Sequence, residues 1–76
     1  MREAGFEILI YTADHGPAHV HVFKAAAQAK IQVANARIEL ILVLGMRQSD
    51  VRKAMEIVAK HYDTICAAWE NIYGNP

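Results

Sequence analysis

Three of the four histidines in the chain, His15, His19 and His21, fall within seven positions, and Asp14 stands directly before them. Imidazole changes charge near neutral pH, and in its neutral form it is the commonest ligand for transition metals. His19 and His21 are two apart, so on a strand both rings leave the same face, about 7 Å apart at their bases. Two rings so placed can share one divalent ion such as zinc, with His15 or Asp14 from the preceding segment as third ligand. The same residues can be read as catalytic. One of His19 and His21 would be general acid or base, oriented by Asp14, with Tyr11 or a water as nucleophile. No serine or cysteine lies beside them. A plainer reading leaves His19 and His21 on a half-exposed sheet face, bonded to Glu7, Glu39 or backbone, with His15 in a loop. His-x-His is a short and common pattern, so the residues alone leave all three readings open.

The elements around this segment are legible from periodicity. Phe6 to Tyr11 is β-branched and aromatic and predicts a first strand. Thr12 to Pro17 breaks it, since Gly16-Pro17 cannot continue a central strand. Ala18 to Lys24 alternates, with Val20 and Val22 on one side and His19, His21 and Phe23 on the other. Gln28 to Val33 alternates again, which places a turn at Ala25 to Ala27, although no turn-forming residue stands there. Asn35 suits the next turn because Asn tolerates a left-handed backbone. Arg37 to Leu44 predicts a fourth strand, with Ile38, Leu40, Leu42 and Leu44 on the core face.

Apolar residues then recur in steps of three and four from Val51 to Tyr73, the mark of one amphipathic helix. Ser49 is the expected N-cap, Asp50 suits the positive end of the dipole, and Gly74 and Pro76 end the helix. The expected fold is therefore α+β: an antiparallel sheet of about four strands, β-β-β-β-α, with one long C-terminal amphipathic helix on one face. His61 reads as a boundary histidine on that helix.

The helix of about 24 residues would be roughly 36 Å long, against about 23 Å for a seven-residue strand. Either it bends, or Trp69 and Tyr73 overhang the sheet and cover a second subunit. The sheet face away from the helix is mixed, with Tyr11, Phe23, Ile41 and Val43 among polar residues. A solvated face would be more polar. These six residues are the expected interface of a homo-oligomer or of a complex with a small protein partner. A non-enzymatic interaction module is the reading they favour, with a metal-dependent hydrolase or nuclease on His15, His19 and His21 as the alternative.

Composition bounds the rest. Seventy-six residues, 54% hydrophobic and 21% charged, are expected to make one small globular domain over 1–76. A chain this short buries only about 60% of its unfolded surface, so a second copy, a bound metal or a partner chain would add useful stability. No apolar run is long enough to span a bilayer, and no apolar segment at the N-terminus reads as a signal peptide. Cys66 is the single cysteine, which excludes an internal disulfide and points to a reducing cytoplasm. Eight basic and eight acidic side chains cancel, which disfavours nucleic acid as partner; Arg37, Arg47, Arg52 and Lys53 form at most a small basic patch.

The order strand, Asp14-His15, Pro17, His19, His21-Val22, then Ala29-Lys30-Ile31 and a helix ending near Trp69-Glu70, resembles domain-of-unknown-function family 4160. The resemblance runs from Phe6 to Tyr73. Ala13, Ala18 and the Phe23 to Ala27 turn depart from the family pattern. The resemblance implies a small bacterial protein with no established activity, of a kind often encoded beside a second small protein in toxin–antitoxin-like pairs. It thus implies a protein partner or self-association.

Overall fold

A computed structural model describes residues 1–74; Pro76, expected to bar extension of the helix, lies outside the described residues. Five strands run β1 Arg2–Glu3, β2 Phe6–Leu9, β3 His19–Lys24, β4 Ala27–Gln32 and β5 Glu39–Leu44, followed by α1 Gln48–Lys60 and α2 Tyr62–Tyr73. The strands form one antiparallel sheet in the order β1-β2-β3-β4-β5. The α+β class, the antiparallel sheet and the C-terminal helical segment match the patterning. The strand count and the single helix do not.

The extra strand is β1. Ala4 and Gly5 both take positive φ, 51° and 84°, in a two-residue turn of the hand that suits strand twist. Two residues offer no alternation to read, so β1 is invisible in the sequence. The β3–β4 turn also rests on an unusual residue: Ala25 sits at φ 53° between the last ladder pair, Lys24↔Ala27. Asn35 adopts the expected left-handed backbone at φ 61°.

Alternation sorts the sheet as expected over its middle strands. Phe6, Ile8, Val20, Val22, Ala29 and Ile31 share a buried core with Ala54, Ile57, Val58, Ile65 and Trp69 of the helices. The helix breaks at His61, whose backbone leaves the helical region at φ −105°, ψ 20°. The apolar stripe continues unbroken through this point, which is why periodicity alone reads one helix. Glu3 of β1 holds the break: its two carboxylate oxygens lie 2.8 Å from His61 Nε2 and 3.2 Å from Lys60 Nζ. Beyond the break Ile65 and Trp69 are buried in the core, so Trp69 does not overhang the sheet. The start of α1 also differs from expectation. Arg47 occupies the N-cap, no side chain caps it, and Ser49 lies inside the first turn.

The largest departure is β5. Its pairing with β4 slips by one residue: Lys30 faces Leu42, but Ile31 faces Leu40. Ile41 is the extra residue of a β-bulge, which reverses the alternation beyond it. Leu42 and Leu44 therefore share the outer face with Lys30 and Gln28, while Leu40 and Val43 share the inner face with Ile31 and Ala29. The expected single core face of Leu40, Leu42 and Leu44 does not exist. All six residues of β5 are exposed, its aliphatic ones from 36% to 51%.

Two stability measurements follow. A non-glycine residue at positive φ costs about 1–2 kcal/mol, against about 0.5–1 kcal/mol for glycine's extra entropy. Ala25→Gly should accordingly raise stability by up to about 1 kcal/mol, seen as a higher urea midpoint at constant slope. The His61 bond first, and then that of Lys60, holds the Glu3 carboxyl below its ordinary 4.5. A depressed carboxyl contributes stability above its ordinary value and loses it as pH falls through the folded value. Glu3→Gln should thus flatten the acid-side decline below pH 4.5, read as urea midpoint against pH.

Candidate functional site

Pairing of β2 with β3 ends at Leu9↔His21, so the first residue of β3, His19, has no β2 neighbour. The segment from Ile10 to Ala18 and the last turns of α2 close over this end instead. Ala18 extends the ladder by accepting from Val33 N–H at 2.8 Å. Tyr73, on α2, fastens the segment: its hydroxyl accepts from Asp14 N–H at 2.9 Å and donates to the Tyr11 carbonyl. This delivers the Asp14 side chain to the two strand histidines.

Both rings turn to the same carboxylate oxygen. His19 Nε2 lies 2.6 Å and His21 Nε2 2.9 Å from Asp14 Oδ2. The other nitrogen of His19, Nδ1, is 2.8 Å from the carbonyl of Pro17, which follows a cis Gly16–Pro17 peptide. His21 Nδ1 is buried and has no hydrogen-bond partner among the described residues. Aromatic rings wall the cluster. Tyr11 stacks on His21 at 4.3 Å, Trp69 packs against His19 at 5.3 Å, and Tyr73 packs against Trp69 at 4.3 Å. His19 is 4% exposed, whereas the Asp14 side chain keeps 30% of its surface. The site is therefore open only on its carboxylate side. The bond from His21, and next that from His19, lowers the Asp14 carboxyl to about 2, so it is an anion at neutral pH.

The expected residues are placed unequally. Asp14, His19 and His21 meet, with one ligand atom from each all within 4.8 Å. They could hold a metal ion, or they could serve as an ion-paired clamp. His15, expected as a third ligand, is exposed and stands outside the cluster. His19 does not lie on a half-exposed face, and its partner is Asp14 rather than Glu7 or Glu39. Trp69, expected at an interface, is 1% exposed inside its own chain. Tyr73 is half-buried and spent on the loop; Tyr11 is exposed yet covers His21. Phe23 is half-buried on the outer face opposite Gln28. Ile41 and Val43 are exposed, on β5, with Leu40, Leu42 and Leu44, for which alternation predicts a core face. The signal for those three was present: Leu40 to Leu44 contains no polar residue, so no face of that strand is marked as solvated.

Two further surface features stand apart from the cluster. One is β5 itself, an unpaired sheet edge with aliphatic side chains on both faces. The other is an apolar hollow of about 280 Å³ between β2 and α2, walled by Ile8, Val20, Ile65 and Ile72 among others. Among the described residues no helix is long and apolar enough to cross a membrane.

The model of the family described as "Domain of unknown function (DUF4160)" matches residues 5–70. The chain belongs to this family. No curated protein and no solved structure matches it.

The Tyr73 hydroxyl links α2 to both Tyr11 and Asp14. Tyr73→Phe leaves the part-buried Asp14 N–H unpaired and returns the exposed Tyr11 carbonyl to water, at about 1–2 kcal/mol. The expected result is a stability loss of that size, with faster hydrogen exchange at the Asp14 amide.

Proposed function

We propose that this protein is an interaction module that pairs with a second copy of itself through β5. One observation carries the reading: an entire edge strand, Glu39–Leu44, is exposed on both faces, and five of its six residues are aliphatic. Natural sheets usually blunt their edges with charge, proline or short strands, because an open edge templates another strand. The opposite edge of this sheet is so treated, with a two-residue β1 carrying Arg2 and Glu3. The β5 edge is not. Strand addition would supply backbone hydrogen bonds along the edge and cover the aliphatic side chains on both faces.

The charge pattern favours antiparallel pairing. Glu39 is the one charged residue of β5, at its start. Antiparallel copies put their Glu39 side chains at opposite ends, whereas parallel copies set them side by side. A small domain with a marginal core also gains stability from such a layer. A strand from a small partner protein, the arrangement implied by the resemblance to toxin–antitoxin-like pairs, would use the same edge. The lone Cys66 suits a reducing cytoplasm as the compartment. The hydrolase reading on His15, His19 and His21 has less support, because His15 stands apart from the other two.

Sedimentation at micromolar concentration should give twice the 8.5 kDa of one chain. Leu42→Glu with Leu44→Glu should give a folded monomer by far-UV dichroism, since these carboxylates face Lys30 and Gln28 across the ladder. A wild-type monomer at these concentrations would overturn the self-pairing.

A further inference from the structure

We infer that Asp14, His19 and His21 form a site for one divalent transition-metal ion of the zinc class, with three protein ligands from one chain. Two contacts of His19 point to it. A neutral imidazole has one N–H and one lone pair. Nδ1 lies 2.8 Å from the Pro17 carbonyl, which can only accept, so the N–H belongs there, and Nε2 turns its lone pair to Asp14 Oδ2 at 2.6 Å. Two lone pairs at that separation need a positive charge between them, a proton or a metal ion.

The geometry matches the metal ion. The Pro17 carbonyl fixes the proton of His19 on Nδ1, which leaves the Nε2 lone pair directed at Asp14. An outer carbonyl or carboxylate orients metal-bound histidines in this way. His21 presents Nε2 to the same point. A carboxylate offers two oxygens, yet both rings converge on Oδ2, as ligands around one centre would. Tetrahedral zinc sits about 2.0–2.2 Å from nitrogen and oxygen ligands, so it separates them by about 3.3 Å. Seating it asks Asp14, which lies on a loop, to retreat by roughly half an ångström, and asks the two rings, whose ligand atoms now lie within 4.8 Å, to close toward that spacing. Two imidazoles and one carboxylate suit zinc, nickel, copper or iron in preference to calcium or magnesium. With three protein ligands, tetrahedral zinc would keep a fourth position for a water or a small anion, and the Asp14 side chain leaves 30% of its surface open to solvent.

The test uses the untagged chain, stripped with a chelator and dialysed, then titrated with zinc, nickel and manganese chlorides by calorimetry and thermal unfolding. The expected result is one equivalent of zinc or nickel per chain, with a raised melting temperature and a much smaller rise with manganese. Asp14→Asn and His21→Gln keep side-chain volume and should weaken zinc by more than about 100-fold, beyond what loss of an outer-shell partner costs. His15→Ala should leave the affinity unchanged. Binding to the Leu42→Glu, Leu44→Glu variant should also be unchanged, because all three ligands come from one chain; loss there would overturn the site. Two readouts need no variant: a cobalt-substituted chain should show the visible bands of a low-coordinate site, and zinc should shift the ring ¹⁵N signals of His19 and His21 together. Absence of binding by the wild type overturns the inference. So does a His19 ring that carries both protons in excess zinc, since the missing charge is then a proton.

Discussion

Two short helices cannot cover five strands, and most of the structure follows from that mismatch. A helix with its side chains is about 10 Å wide, and neighbouring strands lie about 4.8 Å apart, so one helix shields about two strands. The break at His61 divides the helical layer into α1 and α2. Together they bury the inner face of β2, β3 and β4, and then the helical layer is exhausted. β5 lies beyond it. The Ile41 bulge is consistent with this position, since no helix above β5 requires a continuous apolar face to be kept in register.

The second helix also positions the chemistry. Trp69 of α2 reaches the ring of His19, and Tyr73 reaches the loop that carries Asp14. A buried histidine pair without a carboxylate would be costly to hold beside a Trp ring. A carboxylate on an unfastened loop would stay in water. The Tyr73 hydroxyl joins the two conditions, so the helix that completes the core also completes the cluster.

Much of this was readable before any coordinates. The strands around Ile8, Val20 and Ile31 follow from strict alternation, and the helical segment follows from spacing, because buried faces impose those periods. His19 and His21 were identified on one side of one strand, with Asp14 near them. What escaped had no periodic signature. β1 is two residues long, the helix break leaves the apolar stripe intact, and a bulge changes no residue type. Alternation assumes an unbroken ladder, which is why Leu40, Leu42 and Leu44 read as one face in the sequence. His15 shares a segment with the other histidines, yet proximity along a loop does not set direction. The Pro17 carbonyl, which fixes the tautomer of His19, is a backbone atom, and no residue code announces its role.

The contrast between the two sheet edges decides how an assembly of this chain would grow. In the proposed antiparallel pair, each chain gives its long aliphatic edge to the other, and the sheet becomes continuous across a two-fold axis. The outer margins are then two copies of β1, two residues long, with Arg2 ion-paired to Glu7 at 3.7 Å. A margin so short and so charged offers little to a third chain. The contact is isologous and closes on itself, so association stops at a finite particle and does not run on into a fibre.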